Sequence, residues 1–177
     1  AGCLLALDAI LKRRRPQRIL DLGCGTGVLA IAAAHAAKRK TLATDIDPEA
    51  VRVTKLNAAL NGVTPLLNAV AAPGLKDTRI AHGAPYDVIF ANILARPLIS
   101  LAQGLTSIMA PGGHLILSGL TRDQVRWVVA AYRNRGLVLA HTLLLGNWAT
   151  LVLSSKRKRP KHIGAGRLVF RAVGVGW

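Results

Sequence analysis

Short runs of apolar and β-branched residues alternate along this chain with longer Ala-rich or amphipathic runs. The short runs predict β-strands and the longer runs predict α-helices, in an order that is typical of a parallel sheet flanked by helices. A short turn joins the last two strands, so we expect them to pair antiparallel. The pattern therefore predicts an α/β fold: a seven-stranded, mostly parallel sheet with one antiparallel strand and helices on both faces. The expected strands are 18–22, 41–45, 66–70, 86–91, 114–118, 137–145 and 148–153, and the expected helices are 1–14, 26–37, 47–61, 97–109 and 123–135.

Residues with strong local preferences mark the ends of several elements. Asp47 suits the cap of the helix that follows it, Pro48 suits its first position, and Gly62 is expected to end it. The stretch 71–84 is rich in small residues and predicts a loop, and Pro111-Gly112-Gly113 predicts a turn.

The charge of the chain is strongly unbalanced. Its 177 residues include 24 Lys and Arg against 8 Asp and Glu, a formal net charge of +16. Residues 156–177 contain no acid and show neither helical nor strand periodicity. We therefore expect one domain at 1–155 and a basic tail at 156–177 that is irregular or disordered. Because a basic surface attracts polyanions, ribosomal RNA is a candidate partner.

No segment predicts secretion or insertion into a membrane. The apolar run near residues 1–11 is followed, rather than preceded, by Arg13-Arg14-Arg15, which reverses the order of a signal peptide. Cys3 and Cys24 have neither metal-ligand spacing nor the pattern of a disulfide framework. The sequence therefore predicts a cytoplasmic protein with reduced thiols and no metal site.

A glycine-rich turn, Asp21-Leu22-Gly23-Cys24-Gly25-Thr26-Gly27, follows the first predicted strand and opens a helix. Its glycines permit positive φ and a close approach of ligand to backbone, and the helix N-terminus offers unpaired N–H groups. A dinucleotide site needs its third glycine one residue later, where this chain has Val28. The turn therefore predicts a nucleotide-like ligand with a carboxylate or phosphate, but without a pyrophosphate.

Two carboxylates near the turn narrow the choice of ligand. Asp21 can accept a hydrogen bond from an ammonium group, and Asp45, at the end of the second strand, can accept two ribose hydroxyls. S-adenosylmethionine has an amino-acid end and a ribose, so it is the predicted cofactor. The alternatives are a tight turn without a ligand, and a purely capping role for Asp47. The predicted cofactor-binding residues are Asp21, Gly23, Cys24, Gly25, Thr26, Gly27, Asp45, Ile46 and Asn92.

Asn92 ends the fourth predicted strand. Ligands of open α/β sheets lie beyond the carboxyl ends of the strands, so Asn92 is aimed at the reaction site. Its side chain can both accept and donate hydrogen bonds. Asn92 is therefore the predicted catalytic residue, which orients a substrate amine; a turn-forming Asn is the alternative.

Several stretches together resemble one known family: 19–27, 45–48, 92–95, 111–113, 118–119 and 146–148. On these motifs, residues 16–153 resemble the catalytic domain of the ribosomal protein L11 methyltransferases, which have the Rossmann-like class I methyltransferase fold. The resemblance implies methyl transfer to amino groups, of Lys side chains or the N-terminus, of a large-subunit ribosomal protein. It also implies that Gly23, Gly25 and Asp45 line the cofactor site and that Asn92 faces the amine. Family members carry a substrate-recognition domain and a Gly- and His-containing loop ahead of the matched region.

Two other functions stay open at this point. One is a methyltransferase acting on RNA or a small molecule, although Asn92-Ile93-Leu94 lacks the Pro-Pro-aromatic run typical of enzymes that flip out a base for amino methylation. The other is a non-catalytic protein that binds the cofactor, or only ribosomes and RNA.

Overall fold

The structure is a computed structural model that describes residues 1–156. These residues form seven strands and seven α-helices. Apart from Lys156, the predicted basic tail lies outside the described residues. The strands are β1 (Ile19–Leu22), β2 (Thr41–Asp45), β3 (Leu67–Ala71), β4 (Tyr86–Asn92), β5 (Met109–Thr121), β6 (Val138–Leu145) and β7 (Trp148–Ser154). The helices are α1 (Gly2–Leu11), α2 (Val28–Ala37), α3 (Pro48–Leu60), α4 (Thr78–Gly83), α5 (Ala95–Ser100), α6 (Ala102–Ser107) and α7 (Val125–Arg133).

All seven strands belong to one sheet, in the order β3-β2-β1-β4-β5-β7-β6. The pairs from β3 to β5 are parallel, and β7 is antiparallel to both of its neighbours. The predicted fold, with one reversed strand, is therefore confirmed. We call the edge at which β1, β2 and β4 end the carboxyl edge, and the edge at which they begin the amino edge.

Both faces of the sheet are buried, because successive strand residues point to opposite sides and both sides carry helices. On one face Leu20, Ile89 and Leu115 pack with residues of α5, α6 and α7. On the other, Ile19 and Phe90 pack with residues of α1 and α2. The rigid sheet holds the loops at the carboxyl edge in fixed positions.

Local capping rules are confirmed at α3. The Asp47 side chain accepts a hydrogen bond from the Glu49 amide at 2.9 Å, and Pro48 is the first helical residue. Gly62 follows the end of the helix with φ +66°. Among the described residues, every helix is too short or too polar to span a bilayer.

Three predictions of local structure are wrong. The stretch 71–84 contains the short helix α4, and the predicted helix 97–109 consists of α5 and α6, which Leu101 separates. Residues 110–113 do not form a turn between elements. They bulge out of β5, because Met109 lies opposite Tyr86 while His114 already lies opposite Val88.

Candidate active site

The glycine-rich turn connects β1 to α2 at the carboxyl edge. The amides of Gly23 and Cys24 both donate to the Thr44 carbonyl of β2, at 2.8 and 3.0 Å. Gly23 has φ +72°, and a Cβ there would lie 2.6 Å from Cγ2 of Ile93. Gly25 has φ +54°, but a Cβ there would meet nothing within 4 Å. Packing thus requires the glycine at 23, whereas Gly25 faces open space.

The carboxylate of Asp45 fastens the turn to the end of β2. Its Oδ2 accepts from the Gly25 amide at 2.9 Å, and its Oδ1 accepts from the Asp47 amide at 3.1 Å. A carboxylate has about four acceptor directions, so both oxygens can still accept from ribose hydroxyls. The sequence did not indicate the bond to Gly25, since it arises only when β1 and β2 pair in their observed register.

Asp21, which we predicted to accept a hydrogen bond from an ammonium group of the ligand, is buried. Its side chain is 1 % exposed, and Oδ2 accepts a hydrogen bond from the Ala30 amide of α2 at 3.0 Å. Burial raises the pKa of Asp21 to about 7. Oδ1 is buried without a hydrogen-bond partner among residues 1–156. Asp21 therefore holds the first turn of α2, and a direct contact of Oδ1 with an ammonium group stays a prediction.

The other predicted residues of the turn take up different environments. The Cys24 thiol is buried 3.4 Å from Oγ1 of Thr54, and burial raises its pKa to about 11, so only the backbone of Cys24 is available to a ligand. Thr26 is exposed, and its carbonyl accepts from the Asn57 side chain at 2.8 Å. Ile46 is 79 % exposed just beyond β2. Ile46 thus offers an apolar surface beside Asp45.

Asn92 lies next to this turn on the neighbouring strand. Leu22 lies opposite Ala91 in the β1–β4 pair, so Gly23 and Asn92 leave the sheet side by side, roughly 4.8 Å apart in strand spacing. The Asn92 side chain is exposed and has no hydrogen-bond partner in the described part of the chain. It is therefore free to bind a ligand at the carboxyl edge.

Two tryptophans are exposed to solvent, which the sequence pattern did not indicate. Trp127 is 56 % exposed and Trp148 is 60 % exposed. Trp148 lies opposite Thr121, at the end of β5, and so belongs to the carboxyl edge as well. Its position directly after the Gly146-Asn147 turn was the available signal.

This arrangement matches one known family. The sequence profile of the family described as "Ribosomal protein L11 methyltransferase (PrmA)" matches residues 1–156. The chain belongs to this family. A ribosomal protein L11 methyltransferase of a Caulobacter species is 49% identical over 152 residues, and one of Rhodopseudomonas palustris is 48% identical over 153 residues. Each alignment covers 86% of this chain and 52% of the relative, so the chain spans about half the length of these ribosomal protein L11 methyltransferases.

Solved structures agree with the family and the fold. A ribosomal protein L11 methylase from Lactobacillus delbrueckii subsp. bulgaricus superposes with a TM-score of 0.79 at 30% identity, covering 88% of this chain and 77% of that one. An RNA methyltransferase from Salinibacter ruber, solved with S-adenosyl-L-homocysteine, gives 0.67 at 19% identity, covering 90% and 92%. At that identity the second likeness shows the fold alone, which is the class I methyltransferase fold.

Proposed function

We propose that this chain is the catalytic part of an S-adenosylmethionine-dependent protein N-methyltransferase that acts on a ribosomal protein. The observation that carries the proposal is the pairing of an open glycine turn with the unpartnered amide of Asn92 at one edge of the sheet. The turn suits the cofactor and Asn92 suits the acceptor amine. Membership of the ribosomal protein L11 methyltransferases supports the substrate class.

The residues present fit S-adenosylmethionine in three respects. Space is open above Gly25, where a Cβ would meet nothing within 4 Å. The Asp45 carboxylate borders that space and can accept the ribose hydroxyls. The apolar side chain of Ile46 is exposed beside it and suits the flat adenine ring. When bound, the cofactor supplies a methyl group that its sulfonium already activates.

The protein then has to position the acceptor. Methyl transfer needs a neutral amine, whereas a free Lys has a pKa of about 10.4. Removal of the amine from water and a nearby positive charge both favour the neutral form. Asn92 accepts a hydrogen bond from the amine through its side-chain oxygen, which fixes the direction of the nitrogen lone pair. Asp21 and Asp45 are both engaged with backbone amides, so no general base is assigned.

The surroundings of the proposed reaction follow from further observations. Cys3 and Cys24 are free thiols, which is typical of a reducing compartment, so we propose a cytoplasmic enzyme. We also propose contact with ribosomal RNA as a second partner, supported by the excess of Lys and Arg over acids.

Methyl transfer from labelled S-adenosylmethionine into purified ribosomal proteins and, separately, into ribosomal RNA tests the proposal. We expect label in a ribosomal protein, with mass spectrometry locating it on an amino group. Asn92→Ala should lose most single-turnover transfer, and should lower the cofactor affinity measured by calorimetry far less. Asn134→Ala, which removes an exposed Asn at the far end of α7, is the matched control and should transfer normally.

Two results would contradict this assignment. Label in RNA but not in protein would favour the RNA methyltransferase alternative. Cofactor binding without label in either fraction would favour a non-catalytic binding protein.

A further inference from the structure

Cations collect at the amino edge of the sheet, on the side opposite to the glycine turn. They come from the connection between α1 and β1, from the connection between α2 and β2, and from the second residue after β7. All but Arg14 are exposed. We call this set the basic strip: Lys12, Arg13, Arg14, Arg15, Arg18, Lys38, Arg39, Lys40 and Lys156.

The strand register brings the first two groups together. Ile19 lies opposite Thr41 in the parallel β1–β2 pair. Arg18 and Lys40 immediately precede these residues, so they enter the sheet side by side at a strand spacing of roughly 4.8 Å. The two connections therefore form one continuous basic surface.

Hydrogen bonds extend this surface towards the end of β7. The guanidinium of Arg14 donates to the Gly112 carbonyl at 2.6 Å, in the bulge of β5. The Ser155 amide donates to the Gly113 carbonyl at 3.1 Å. Lys156 thus leaves the sheet beside Arg14, and the basic strip crosses from β2 to β7.

Few acids neutralise the basic strip. All eight acids of the chain lie within the described residues, and only two of them belong to this edge. Asp8 pairs with Lys12 at 2.7 Å. Asp87 accepts from the amides of Gln17 and Arg18, at 2.8 and 3.0 Å, and forms no ion pair within residues 1–156. With nine cations and these two acids, the basic strip carries a formal charge of +7.

We propose that the basic strip binds the phosphate backbone of double-stranded RNA. Residues 12–18 and 38–40 contain no aromatic side chain on which unpaired bases could stack. Pro16 is their one apolar residue, so they offer nothing to enter a bilayer. The other side chains of these segments are mainly cations, and a row of cations binds phosphates irrespective of the nucleotide sequence.

The dimensions of the sheet agree with this. From β2 to β7 the basic strip crosses four strand spacings, about 19 Å, which is enough to contact several phosphates of a duplex. From Arg18 to Gly23 the chain rises about 17 Å through β1. RNA on the amino edge therefore leaves the glycine turn open. The inference rests on the RNA contact that we propose above, and it does not require methyl transfer.

Fluorescence anisotropy of a labelled RNA duplex of mixed sequence, titrated with the 177-residue chain at several salt concentrations, tests the basic strip. The test variant is Arg13→Gln, Arg15→Gln and Lys40→Gln, three exposed residues whose side chains form no hydrogen bond or ion pair within residues 1–156. Its control, Lys55→Gln, Lys76→Gln and Arg126→Gln, removes the same charge from exposed positions elsewhere. Lys38 is left unchanged because its φ of +52° makes any substitution there ambiguous.

We expect the test variant to reduce the steepness of the fall of log affinity with log salt by about 2.7, and to lower the affinity at 0.1 M salt by more than two orders of magnitude. The control should change the affinity far less, and both variants should bind S-adenosylmethionine like wild type. Equal losses in both variants would mean non-specific attraction and would overturn the proposal. Two other results would also overturn the proposal. One is the absence of binding to RNA, and the other is binding to anionic vesicles or to an acidic protein that the test variant weakens. A separate measurement of S-adenosylmethionine binding shows whether the proposed function fails independently of the RNA contact.

Discussion

Alanine at position 25 tests the glycine turn most sharply, because the space around Gly25 is empty in the protein itself. Gly25 has φ +54°, and a Cβ would meet nothing within 4 Å. Gly25→Ala therefore costs only the strain of a left-handed Ala, about 1–2 kcal/mol. In a domain of this size that lowers Tm by about 2–8 °C. Gly62, which follows α3 with φ +66° and equally open surroundings, gives a matched control in Gly62→Ala.

The two variants should differ in their response to S-adenosylmethionine. The new methyl group occupies space that we assign to the cofactor, and such overlap costs about 1–3 kcal/mol, or roughly 5- to 150-fold in Kd. At a ligand concentration of about 100 Kd the wild type gains roughly 2.7 kcal/mol of stability. With Kd raised 100-fold, Gly25→Ala gains only about 0.4 kcal/mol at the same concentration.

Thermal unfolding with and without S-adenosylmethionine measures this difference. Wild type and Gly62→Ala should shift by about 5–10 °C on adding the ligand, and Gly25→Ala by about 1 °C. If Gly25→Ala responds to the ligand as strongly as Gly62→Ala does, the cofactor does not lie against the turn and the reasoning is wrong.

Three further substitutions give separate predictions. Asp45→Ala should weaken S-adenosylmethionine binding by roughly tenfold to a hundredfold in calorimetry, because hydrogen bonds to a charged group are lost, whereas Asp47→Ala, which removes only a helix cap, should not. The pKa of Asp21 rises from 3.8 to about 7 on folding, so between these pH values the folded state retains a proton that the unfolded state has lost. The free energy of unfolding of wild type should therefore fall by a few kcal/mol relative to that of Asp21→Asn as the pH rises from about 4 to about 7. Urea unfolding that shows a constant difference in this free energy between the two proteins across that range would contradict the prediction. Gly119→Ala should destabilise by about 3 kcal/mol or more, because φ is +81° and a Cβ would lie 2.5 Å from the Ile93 carbonyl oxygen; a change in Tm below about 2 °C would argue against that contact.

Local chemistry made part of the fold predictable. The ends of α3 follow from capping preferences that act within a few residues. The structure shows Asp47 and Pro48 at its start and Gly62 after its end, as predicted. The break between α5 and α6 at Leu101 carries no Gly or Pro signal, so the apolar pattern suggested one helix. Helix α4 has only six residues, which is too short to show a helical period.

The geometry of the candidate site depends more than the helix ends do on contacts between residues that are far apart in the sequence. The sequence indicated that Asp45 ends a strand, but the bond from the Gly25 amide to Asp45 requires β1 and β2 to pair in one register. The burial of Asp21 follows from strand alternation. Asp21 shares a face with Ile19 and therefore lies beneath α2, where it accepts from Ala30. A sequence pattern shows which side chains can bind a ligand, and packing decides which of them reach it.

A crystal structure of this chain with S-adenosylmethionine tests the central claim most directly. We predict electron density along residues 23–27, with the ribose hydroxyls on Asp45 and the methyl group directed towards Asn92. Ligand density at any other place on the protein, with the space above Gly25 filled by solvent alone, would contradict the account.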